Sequence, residues 1–62
     1  MNEGTEKFVR EFGQQSYHKA VDFVVMAERF GDSKGAKMYA DLAKELLQLG
    51  YHKYPKAEGG AK

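Results

Sequence analysis

The chain contains no cysteine, which excludes a disulfide framework and any thiolate zinc site. It also lacks an excess of either charge: ten Lys and Arg stand against nine Asp and Glu, a formal net charge of +1. Nothing global in that balance demands nucleic acid or an anionic membrane as a partner. Long hydrophobic runs are missing as well. The longest, Phe23-Val24-Val25-Met26-Ala27, is far too short to cross a bilayer, and no basic-then-apolar secretory signal opens the chain. These absences lead to the expectation of a soluble, cytoplasmic protein with no membrane association. There are two histidines, far apart in sequence, and a single proline, Pro55.

What is present is helical periodicity, interrupted near the midpoint by Phe30-Gly31-Asp32-Ser33-Lys34-Gly35. Apolar residues recur at steps of three and four from Phe8 to Phe30 and again from Ala36 to Leu49, as on the faces of helices. Gly31 suits the left-handed close of one helix, and Asp32 or Ser33 suits the cap of the next. The fold class is therefore all-α: an antiparallel helical hairpin with helices over 5–30 and 33–49. Residues 1–55 are read as one hairpin domain and 56–62 as a disordered tail.

Details of the two helices refine this expectation. Thr5 is the N-cap candidate ahead of Glu6, leaving 1–4 frayed. Gly13 is the weak point of the first helix, because glycine costs about 1 kcal/mol in a helix interior, and Ser16 could begin a fresh helix after a break. The seven-residue repeat Val9, Gly13, Ser16, Ala20, Phe23, Ala27, Phe30 favours continuity. On the second helix Ala36, Ala40, Ala43 and Leu47 form a small-residue stripe, with Tyr39, Leu46 and Gly50 beside it. Gly50 fits the position just past the helix end, with Tyr51 packing back on Leu46. Beyond it, Tyr51 to Pro55 is read as extended, since a residue preceding proline is biased away from helix.

Size then argues for assembly. A chain of 62 residues buries only about 60% of its unfolded surface, so a lone hairpin is marginal. Helices of about 39 and 25 Å, at ~1.5 Å per residue, would leave Phe8, Val9 and Phe12 on an unsupported overhang. Either Tyr51 and Tyr54 fold over these residues or a second copy covers them. The expected assembly is a homodimeric four-helix bundle. Its interface would comprise Phe8, Phe12, Tyr17, Val24, Leu42, Leu46 and Leu49.

No stretch carries a specific catalytic, metal or cofactor pattern, so the chain is read as a non-enzyme without cofactor or metal. His18 and Asp22 share a helix face, a spacing at which a carboxylate can orient an imidazole, yet no nucleophile or pocket accompanies them in the pattern. Asp41 and Glu45 also share a face, but the Glu-x-x-His signature of carboxylate metal bundles is missing. They read as a solvated acidic face flanked by Lys37 and Lys44. Gly31 to Gly35 lacks the Walker spacing and reads as a turn. The functional expectation is an adaptor or regulator that self-associates and binds a protein partner. The alternative is a nucleic-acid-binding regulator in which Tyr51 and Tyr54 stack on bases while Lys53 and Lys56 meet phosphates.

Overall fold

A computed structural model describes residues 2–57. Every regular element among them is helical: α1 (Glu3–Phe12), a 3₁₀ turn (Gly13–Gln15), α2 (Ser16–Arg29), α3 (Ser33–Gln48) and a second 3₁₀ turn (Tyr51–Lys53). α2 packs along α3 for most of its length, as a hairpin, and α1 lies across both.

The hairpin turn forms where the sequence places it. Gly31, at φ 71°, donates its N–H to the Glu28 carbonyl at 3.1 Å, and the Asp32 N–H reaches the Ala27 carbonyl at 2.8 Å. This pair of bonds satisfies two carbonyls that α2 would otherwise leave open, in a Schellman close. Asp32 then caps α3, its carboxylate accepting from the Gly35 N–H at 2.9 Å. One residue thus ends one helix and starts the next, which keeps the connection short. Gly50 takes the left-handed conformation after α3, and Tyr51 packs against the core that contains Leu46, both as expected.

The first helix is not continuous. Gly13 adopts φ 57° and ψ −129°, a region that side-chain-bearing L-residues rarely enter, and the chain turns back on itself there. Buried Ser16 holds the turn, its hydroxyl donating to the Gly13 carbonyl at 2.6 Å. The seven-residue repeat through Gly13 is therefore not a single seam. The reversal also removes the expected overhang. Folded back, α1 sets Phe8 and Phe12 against Phe23, with ring centroids 6.0 and 6.1 Å apart. Phe23 in turn stacks on Tyr39 at 5.0 Å. Aromatic pairing of this kind adds to the gain from area burial.

The start of α1 also differs from expectation. Asn2, not Thr5, is the N-cap, its side-chain oxygen accepting from the Thr5 N–H at 2.8 Å. Residues 3 and 4 are already helical. Thr5 is instead buried and donates its hydroxyl to Glu45 at 2.7 Å. Glu45 additionally receives the Asn2 amide side chain at 3.2 Å and the Asn2 N–H at 3.4 Å. It is the anchor of α1 on α3 and not part of a solvated acidic face. Asp41, one turn earlier, does lie in solvent, paired with Lys37 at 3.8 Å.

The apolar core is small: Ala20, Ala27, Ala43 and Leu46. The small-residue stripe on α3 is displaced from the expected one, with Leu46 fully buried and Leu47 exposed. Because α1 covers the Leu42 side of α3, the centre of burial rotates toward that side.

Candidate interaction surfaces

The presence of α1 distinguishes two sides of the α2–α3 hairpin. At about 100° per residue, Phe23 on α2 and Leu42 on α3 face the side that α1 occupies. Tyr17, Val21 and Val24 lie on the other side of α2, with Val25 continuing round it; Ala40 and Leu47 lie on the other side of α3. The 3₁₀ turn covers one end of this flank, bringing His52 to 6.2 Å from the Tyr17 ring. Further along, Val21, Val25 and Leu47 are exposed.

Between α1 and α3 lies an open cleft of about 440 Å³. Phe8, Met38, Tyr39 and Leu42 supply its apolar lining, and Asn2, Gly4, Thr5, Asp41 and Glu45 the remainder. The two charged residues of the lining are both carboxylates. Met38 is 58% exposed although it borders this apolar floor. At the hairpin turn, Phe30 is 82% exposed, because the helix ends at Arg29 and the chain leaves before α3 can cover the ring.

The C-terminal segment is strapped to α2. The Gln15 side chain donates to the Pro55 carbonyl at 2.9 Å and accepts from the Ala57 N–H at 2.8 Å. His18 Nε2 lies 2.6 Å from the Tyr54 carbonyl, to which it donates, and Lys56 pairs with Asp22 at 3.2 Å. Residues 51–53 form a helical turn, contrary to the extended reading, and Tyr54 alone is extended as expected. Lys56 and Ala57 are placed by these bonds; the rest of the expected disordered tail, 58–62, lies outside the described residues.

These contacts place each residue singled out in the sequence. His18 and Asp22 serve the strap separately, His18 through the Tyr54 carbonyl and Asp22 through Lys56, so the spacing they share on the helix does not make an imidazole–carboxylate pair. Among the described residues, no three His, Asp or Glu side chains gather as a metal set would. Of the residues suited to nucleic acid, Tyr51 is half-buried against the core, the Tyr54 ring lies 5.9 Å from the Tyr51 ring, and Lys56 is paired. Lys53 is exposed. Of the residues assigned to an oligomer interface, Tyr17 and Val24 lie on the open flank, while Phe8, Phe12 and Leu42 lie on the α1 side. Leu49 is exposed. Leu46 is 0% exposed within the single chain, so it has no surface to offer a second copy; its place in that set is corrected.

Sequence reasoning passed over Asn2, Gln15 and Phe30 as contributors to these surfaces, whereas Met38 was readable as a flexible filler of a helix core or interface. Asn2 had a readable signal, since asparagine caps helices as well as threonine or better and Glu3 follows it. Gln15 had none, because its partners lie some forty residues away. No helix among the described residues is long and apolar enough to cross a membrane. No protein-family model, curated protein or solved structure matches this chain.

Proposed function

We propose that this protein is a small non-enzymatic interaction module that self-associates and presents a surface to a macromolecular protein partner. One observation carries the reading: the apolar side chains are distributed against the needs of a lone chain. Among the described residues, three alanines and one leucine are buried, while Val21, Val25, Met26, Phe30, Met38, Leu47 and Leu49 are exposed. Exposed apolar surface that is contiguous, as along the open flank, marks an interaction site. Pairing two hairpins through that flank gives a homodimer with a four-helix bundle of α2 and α3 from each copy.

Light scattering on a sizing column, with absorbance read at protein and nucleic-acid wavelengths, tests the reading. A dimer free of nucleic acid is the expected result. Val25→Asp and Leu47→Asp should each convert it to a folded monomer, since both side chains are exposed in the single chain. A native protein that stays monomeric at every concentration refutes self-association. Nuclease-sensitive absorbance would instead support the alternative of a nucleic-acid-binding regulator, to which exposed Lys53 would contribute.

A further inference from the structure

We infer that the cleft between α1 and α3 is a peptide-binding site for a partner segment carrying an aromatic or aliphatic anchor beside an arginine or lysine. The inference rests on the interaction-module reading and supplies the chemistry of the partner. Three observations support it. The cleft volume of about 440 Å³ lies within the range of roughly 300–1,000 Å³ typical of pockets that hold small ligands. Its floor joins the Phe8 and Tyr39 rings to Met38 and Leu42, and a methionine in such a floor adapts to the anchor that enters.

The third observation is electrostatic. Asp41 and Glu45 are the charged groups of the lining, so a cationic neighbour of the anchor is complementary and an anionic one is repelled. Glu45 has capacity to spare. Its Oε1 accepts from Thr5 and from the Asn2 side chain, whereas Oε2 accepts only the long 3.4 Å bond from the Asn2 N–H. A carboxylate offers about four acceptor positions, which leaves Oε2 open to a guanidinium or ammonium donor. Glu45 forms no ion pair among the described residues. The Asp41 pair with Lys37, exposed and 3.8 Å long, is of the weak kind that a better-placed cation displaces.

The cleft can be tested with the full chain and three capped tetrapeptides, Gly-Phe-Arg-Gly, Gly-Phe-Glu-Gly and Gly-Ala-Arg-Gly, followed by amide chemical shifts. The Phe-Arg peptide should move the amides of 4–8 and 38–45 in a saturable way. It should bind at least about tenfold more tightly than the Phe-Glu peptide, as loss of a charge-assisted bond implies, and the Ala-Arg peptide should not saturate. Met38→Lys, at an exposed position, should abolish the shifts while leaving the melting temperature unchanged. Equal affinity for the Phe-Arg and Phe-Glu peptides, or no shifts in the cleft, overturns the inference. So would cleft amides that broaden without peptide and sharpen in Phe30→Ser, which would seat the Arg29-Phe30 turn of a second copy there. Light scattering on the same samples separates the two readings. A monomer that binds the Phe-Arg peptide refutes self-association alone, and a dimer that does not bind refutes the cleft alone.

Discussion

At the scale of single residues, Glu45 and Thr5 do more for the fold than their positions in the sequence suggest. Thr5 is buried, and its hydroxyl donates to a carboxylate, a charge-assisted bond stronger than one between neutral groups. Replacing it by valine keeps the shape, removes the donor and withdraws one of three bonds from a half-buried carboxylate. Thr5→Val should therefore lower stability by about 1–3 kcal/mol, whereas Thr5→Ser, which keeps the hydroxyl, should lose less. Urea denaturation midpoints check this; a valine variant as stable as the native chain would show that the bond contributes nothing net. None of this was legible in the sequence. A threonine before a glutamate resembles a helix cap, and a bond that spans forty positions leaves no local pattern. The residue that does cap, Asn2, was readable by its type, but reading 1–4 as frayed passed it over.

Among the elements, the hairpin turn was legible and the break in the first helix was not. Gly31 and Asp32 satisfy local rules that depend on a few neighbouring residues, so the hairpin could be read directly. Asp32→Ala should cost about 1 kcal/mol, as loss of a cap does, while Ser33→Ala should be nearly neutral, because Asp32 makes the capping bond to Gly35. Thermal melts of the two variants separate these outcomes. Gly13 is different in kind. A glycine in a helical pattern is equally consistent with a tolerated interior position and with a reversal, and the deciding gain is tertiary: folding back lets Phe8 and Phe12 join Phe23 and Tyr39. A Cβ at 13 would meet no neighbouring atom within 4 Å, so substitution there reports backbone conformation alone. Gly13→Ala should destabilise by about 1–3 kcal/mol, the cost of holding an L-residue in a backbone region that essentially only glycine occupies. D-alanine at 13, introduced by chemical synthesis, should be tolerated or stabilising because it favours positive φ and restricts the unfolded chain. If both enantiomers destabilise equally, the chain does not reverse at Gly13.

For the whole molecule, the issue is how so small a core holds a fold together. Leu46 is the largest side chain buried in it. Its removal should be felt throughout: Leu46→Ala should cost about 2–5 kcal/mol, the range for cavity-forming substitutions, and Leu46→Asp should unfold the chain instead of merely separating subunits. The sequence pattern showed that more apolar surface existed than one hairpin could cover, but not which part α1 would cover. That division depends on the reversal at Gly13, which places Leu42 beside α1 and leaves Val21, Val25 and Leu47 outside. A consequence follows for stability. If association through the open flank completes burial, folding is linked to dimerisation, and the melting temperature must rise with protein concentration by mass action. Val25→Asp should remove that concentration dependence and melt at one temperature across the series, while Thr5→Val should lower the whole curve and keep its slope. Calorimetric scans over a hundredfold concentration range make the comparison. A native melting temperature independent of concentration would mean that the three alanines and Leu46, with the aromatic cluster around Phe23, suffice alone, and that the exposed flank serves a different molecule.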